Sequence, residues 1–160
     1  NLRGQSMVGL LAILLVAVPM ILVLFDGAVI MMAVATNDAA CRDAARAAAS
    51  GPPGLLAAGN NRSVSSADRP SKRASAVLKR VYAPSGYLKI LDSVDVHETI
   101  KTPVPTATTG GAVIGEVTVR TTADIYPPFL VGHVVGALPL KFQKEETYSY
   151  TYVVPATAGP

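Results

Sequence analysis

The reading of this chain turns on residues 7–25, MVGLLAILLVAVPMILVLF, in which no side chain carries a charge. The uncharged run begins at Gly4 and, after Asp26, resumes from Gly27 to Asn37. About 20 predominantly apolar residues, rising 1.5 Å each, cross the hydrocarbon core of a bilayer, so residues 7–25 predict a membrane-compatible helix. They are apolar all round rather than along one stripe, which requires lipid or other protein on every side. The helical signal does not stop there. Residues 37–49, NDAACRDAARAAA, are rich in the best helix former and place Asp38 and Arg42 at i,i+4. Ser50, Gly51, Pro52, Pro53 and Gly54 then end the helix. One helix from about Gln5 to Ser50 is roughly 70 Å long, more than twice the bilayer core, so its outer half must pack on something other than lipid. Pro19 removes one backbone hydrogen bond and predicts a bend, and Gly9 and Gly27 soften the helix further.

Asp26 is the exception within the apolar run. A carboxylate at that depth costs on the order of 3 kcal/mol in lipid unless it is paired or protonated. Arg42 and Arg3 lie roughly 24 and 35 Å away along the axis, so neither reaches it within the helix. Two readings stand side by side: a partner on a neighbouring, staggered copy, or simple hydration at the outer membrane interface. Arg3 at the start keeps that end cytoplasmic under the positive-inside bias and puts the rest of the chain outside.

Composition bounds the alternatives. With 160 residues, the chain has room for one modest domain plus one extended element. Half the residues are hydrophobic and 16% are charged, but the apolar excess is concentrated at the N-terminus. A net charge of +3, without basic runs interleaved with aromatics, gives no support to nucleic-acid binding. The single cysteine, Cys41, rules out an internal disulfide framework and leaves a packed small residue or a candidate intermolecular thiol. The apolar stretch is too long for the core of a secretory signal, and a first residue other than Met is expected from a removed leader or a sequence that begins inside a longer one.

Beyond the helix, residues 51–70 read as a Gly/Pro/Asn/Ser-rich connector and residues 71–160 as a β-rich outer domain. Residues 71–82 predict a short helix, with Ala74, Val77, Leu78 and Val81 at helical spacing to dock on a sheet. Six basic residues, Arg62, Arg69, Lys72, Arg73, Lys79 and Arg80, stand against Asp68 in this region. They read first as a solvated face, second as a surface for anionic lipid or polysaccharide. Leu88, Ile90, Val94 and Val96 alternate with polar residues as one strand; Val117, Val119 and Thr121 mark a second, and residues 138–154 a third. Residues 99–111 are expected to form an exposed loop. Residues 128–136, PFLVGHVVG, are too apolar for one and predict a core cap or a subunit contact. The fold class is therefore α+β: a long N-terminal α-helix (residues 1–50), then a small antiparallel sheet domain with one short helix.

Several short motifs resemble the TadE-like pseudopilins of tight-adherence, type IV-related pili. They are Arg3-Gly4-Gln5-Ser6-Met7-Val8 ahead of Leu-rich sequence with Pro19, and Ala40-Cys41-Arg42-Asp43-Ala44-Ala45-Arg46, similar to the family's Ala-Arg-Glu-Ala-Ala-Arg signature. The Val117-Thr118-Val119 strand, the Tyr126-Pro127-Pro128-Phe129 turn and the final polar-aromatic strand extend the likeness over most of the chain. The resemblance implies a pilin-like fold and a structural subunit of an extracellular filament. Its partners would be copies of itself in a helical homopolymer, the inner membrane before assembly, and the pilus assembly machinery. The family also places a glutamate at the fifth position after its cleavage point. Cutting after Gly4 puts Gly9 there, and cutting before Asn1 puts Gln5 there. Neither is acidic, which turns attention to Asp26 for charge pairing between subunits.

No catalytic chemistry is expected. His97 and His133 lie far apart without carboxylates at metal-ligand spacing, no phosphate loop, nucleophile elbow or HExxH is present, and Asp92, Asp95 and Glu98 read as solvated. No metal or cofactor is expected. Tyr148, Tyr150 and Tyr152 read as sheet packing, and Asn61-Arg62-Ser63 as a candidate glycosylation acceptor at Asn61. The residues expected to carry assembly are Met7, Leu10, Leu11, Leu14, Leu15, Pro19, Leu22, Phe25 and Asp26. Two further readings are carried alongside: a minor pseudopilin that primes a pilus or secretion machine, and a membrane-tethered module that binds envelope components.

Overall fold

The computed structural model describes residues 2–54, 61–64, 68–91, 93–102, 109–129, 131 and 139–156, with 2–6 and 61–64 as backbone only. Helix α1, Leu2–Ala49, runs unbroken through Pro19. One missing hydrogen bond does not interrupt a helix flanked on both sides by long Leu/Val/Ile-rich turns. At 48 residues it is roughly 72 Å long.

Its C-terminus is built from two directions. Ser50 N–H donates back to the Arg46 carbonyl at 3.1 Å. Gly51 follows at φ +135°, a left-handed conformation that favours glycine, and a side chain there would press on the Arg73 guanidinium at 3.3 Å. Arg73 belongs to helix α2, Arg69–Val81. Its Nε donates to the Ala47 carbonyl (3.0 Å), and its Nη2 to those of Ala48 (2.6 Å) and Pro52 (3.3 Å). A cation thus meets two of the last four carbonyls at the negative end of α1, and the Ser50 and Gly51 amides meet those of Arg46 and Ala49. α2 leans chiefly on α1: Ala74 and Leu78 are buried, and Tyr82 Oη just beyond donates to Asp43 Oδ2 at 2.7 Å. Val81, expected on the docking face, is instead exposed: the buried stripe runs through Pro70, Ser71, Ala74 and Leu78 and continues to Tyr82, and Val81 falls beside it.

The strands are β1 (Asn61–Val64), β2 (Leu88–Ile90), β3 (Asp95–Ile100), β4 (Gly111–Ile125) and β5 (Leu140–Val154). All pairing is antiparallel. β4 is central: β5 pairs along one edge for its full length, while β3 and β2 follow one another along the other, with β1 outside β3. The long helix, the small antiparallel sheet and the short helix agree with the expected α+β layout.

Three details differ. The strand expected over residues 88–96 is two strands, pairing with β4 residues 123–125 and 115–120 respectively. Leu88 and Ile90, then Val96 and Ile100, all turn toward α1, so the alternation keeps its phase across the break and periodicity alone cannot reveal it. Thr99 and Ile100 belong to β3 rather than to the expected loop. Asn61–Val64, inside the expected connector, forms β1 beside β3.

The second half of α1 covers one sheet face. Ala40, Ala44, Ala45 and Ala48 pack with Ala74, Leu78, Val96, Val117, Val119 and Tyr150, and Ala33 packs with Leu88, Ala123 and Ile125. Small side chains let the helix lie close on the strands. The other sheet face is polar: Arg120 Nη2 donates to Glu145 Oε2 (2.7 Å), Thr118 and Thr147 hydroxyls meet at 2.8 Å, and Lys101 pairs with Glu116.

Candidate assembly surface

α1 divides at Asp26. Below it the helix touches little of its own chain: Met7, Leu10, Leu11, Leu14, Leu15, Pro19 and Phe25 are exposed and Leu22 is half-buried. Leu15 keeps 77% of its surface. The helix is long and apolar enough to cross a membrane, and none of its most apolar window is buried within the chain. Above Asp26 one face is buried, but Met31 and Met32, on the opposite side, remain exposed at 75% and 61%. The exposed apolar surface therefore runs from Met7 to Met32, roughly 39 Å along the axis, beyond the ~30 Å of a bilayer core.

Asp26 is fully buried. Its Oδ1 accepts the backbone N–H of Phe129 at 3.0 Å and its Oδ2 that of Val131 at 2.8 Å. The carboxylate is thus held by two amides of its own chain, in the turn that follows β4. Neither a neighbouring copy nor bulk hydration is needed to explain how an acid sits here. Phe25 and Phe129 reinforce the contact, with ring centroids 6.3 Å apart and planes tilted by 58°. Residues 128–136 were expected to cap the core or touch a neighbour; at Phe129 and Val131 their amides bind Asp26 midway along α1, and Leu130 and residues 132–136, with His133, lie outside the described residues.

From this point α1 and β4 run past each other in opposite directions. Asn37 Oδ1 accepts from Thr121 Oγ1 at 3.0 Å, and the Cys41 thiol is shared between the carbonyls of Val119 (3.3 Å) and Lys144 (3.4 Å). Arg46 lies over the Tyr148 ring at 5.7 Å and donates to its hydroxyl at 3.3 Å. Cys41 is free and fully buried. As the candidate intermolecular thiol it lies under α1 in the single chain, so bridging another copy would require lifting α1 from the sheet. Burial also pushes its pKa up, which disfavours the reactive thiolate.

Glu98, expected in solvent, is buried. It accepts from the Gly54 N–H at 3.1 Å and from Tyr150 Oη at 2.9 Å. Tyr150 reaches it by lying across Gly115, its partner in register on β4, where any Cβ would stand 2.6 Å from Oη and 2.8 Å from the Thr99 carbonyl. The sequence signal for this was a glycine in the interior of a long strand, Gly115. Asp95 stays on the open sheet face, 3.1 Å from His97 Nε2. Asp92 lies outside the described residues. Asn61 opens β1 opposite Thr99, with its side chain outside the described set. Among the described residues no group of three or more His, Cys, Asp or Glu is placed to hold a metal ion.

Compared with known protein families, curated proteins and solved structures, the chain matches none.

Proposed function

We propose that this chain is a structural, non-catalytic subunit of an extracellular type IV-like, Tad-like pilus filament that polymerises through the first half of α1. The observation that carries the proposal is the exposed apolar surface of α1, which surrounds the helix below Asp26 and continues on one side to Met31 and Met32. Lipid accounts for a bilayer's worth of that surface; neighbouring helices in a filament core account for all of it. Before assembly the subunit waits in the inner membrane, and the assembly machinery moves it into a homopolymer with the sheet domains outward. Lipid and a bundle of apolar helices have similar polarity, so helix packing and polar pairing rather than hydrophobicity alone favour the move. Sheared cell-surface material viewed in negative stain, with its protein identified by mass spectrometry, tests this. Filaments composed mainly of this chain are expected; their absence under expressing conditions overturns the reading.

Two other roles have specific support. The absence of an acid at the fifth position in either register favours a minor pseudopilin, which copy number per filament separates from a major subunit. The exposed Lys72, Lys79 and Arg80 on α2 favour a membrane-tethered module that binds anionic envelope components. Such a module dissolves in detergent as a monomer, whereas a filament pellets.

A further inference from the structure

Residues 7–25 measure roughly 28 Å as a helix, about one bilayer core, which puts Phe25 at its edge and Asp26 just beyond. Asp26 binds the amides of Phe129 and Val131 directly, so the turn after β4 is fixed within one side chain of the helix at that depth. Its surroundings suit a lipid boundary. Phe25, Phe129 and Tyr126 keep 57%, 41% and 39% of their surface exposed. Two residues before the turn, Asp124 faces Lys89 on β2 and Lys141 on β5 in register. Asp124 is buried and both lysines are exposed, so positive charge is what this end of the sheet presents outward. Apolar and aromatic side chains at the hydrocarbon edge, with lysines a few ångströms further out, match the layering of a bilayer interface.

We propose that residues 126–129 and Val131 form a second membrane contact, seated in the interfacial layer of the bilayer that α1 crosses. The occupant is lipid, because the turn continues the surface of the spanning helix at the same depth. The contact fixes the tilt and rotation of the sheet domain over the membrane. The Asp26 carboxylate can sit at the hydrocarbon edge because the turn covers it and supplies its hydrogen bonds. The inference rests on α1 spanning a membrane before assembly and does not depend on the filament.

The chain contains no tryptophan, so each introduced one is a sole reporter. The test uses the full chain in phosphatidylcholine vesicles carrying lipids brominated either near the headgroup or deep in the acyl chain. Val16→Trp reports mid-span, Phe129→Trp and Tyr126→Trp report the turn, and Val153→Trp reports the far end of the sheet. Val16→Trp should lose most of its emission to deep bromines, and Val153→Trp should lose none. At least one of the turn variants should be quenched chiefly by shallow bromines, with emission blue-shifted from that of Val153→Trp. If both turn variants behave like Val153→Trp, or are quenched chiefly by deep bromines, while Val16→Trp is quenched, the interfacial seat is overturned. If Val16→Trp is itself unquenched, the spanning premise fails and the proposal with it.

Discussion

The Asp26 carboxylate accepts the backbone N–H of Val131 across 105 residues of sequence, at 2.8 Å. With the Phe129 amide on its other oxygen, this ties the segment that follows β4 to the point where α1 leaves the fold. Hydrogen bonds to a charged group are worth about 1.5–3 kcal/mol each. Asp26→Ala should therefore raise local opening of the turn by about 2 kcal/mol or more, a roughly 30-fold increase in exchange. Hydrogen exchange of the Phe129 and Val131 amides in micelles checks it. Asp26→Asn keeps one acceptor oxygen and should fall between the two. Unchanged protection in Asp26→Ala would remove the latch.

Gly115→Ala should be among the most damaging single-methyl changes in the sheet. The new Cβ meets both the Tyr150 ring and the Thr99 backbone carbonyl, and the carbonyl cannot swing aside. Overpacking of this kind costs about 1–3 kcal/mol. Tyr150→Phe, which keeps the ring and removes the hydroxyl that donates to buried Glu98, should cost about 1 kcal/mol or somewhat more. Denaturant midpoints of the detergent-solubilised chain compare the two.

Arg73→Gln should fray the end of α1 by stripping the cation from the Ala47, Ala48 and Pro52 carbonyls, at about 1.5–3 kcal/mol, reduced by partial exposure. Arg73→Lys should not restore it, since one ammonium cannot reproduce the planar donation from Nε and Nη2. Faster amide exchange at Ser50 and Gly51, with the rest of α1 unchanged, is the expected signature.

Cys41 should react with maleimide only as fast as α1 opens from the sheet. Its raised pKa also sets a direction with pH. Below about pH 8.5 the thiol is protonated in both folded and unfolded chains and adds no slope. Above that the unfolded thiol ionises first, so stability falls until pH passes the folded value. Tyr82, raised by burial and then by its hydrogen bond to Asp43, does the same from about pH 10. Cys41→Ala should remove the earlier part of the alkaline decline in melting temperature and leave the later part.

Which of these features the sequence announced follows from the range of the interactions. The length of α1 was legible because an uncharged run joins an Ala-rich helix without punctuation, and the Ser50–Gly54 stop is local chemistry. α2 was visible by its spacing, but its partner was not, since an apolar stripe does not say whether a helix or a sheet will cover it. The break between β2 and β3 was hidden by alternation that stays in phase. Asp26 and Glu98 were the hardest. Asp26 is held by backbone amides far away in sequence, at Phe129 and Val131, and Glu98 by the Gly54 amide together with Tyr150 Oη; a backbone donor leaves no residue-type signature. The lower half of α1 was legible as apolar on every side, but what surrounds it is not written in this chain.

A three-dimensional reconstruction of purified surface filaments by electron cryomicroscopy tests that last point most directly. The account predicts a core of packed α1 helices in which residues 7–25, with Met31 and Met32, are covered by neighbouring copies, while Asp26 keeps its contacts to its own Phe129 and Val131. A filament whose core is built from the sheet domains, with the lower half of α1 left outside, would contradict it.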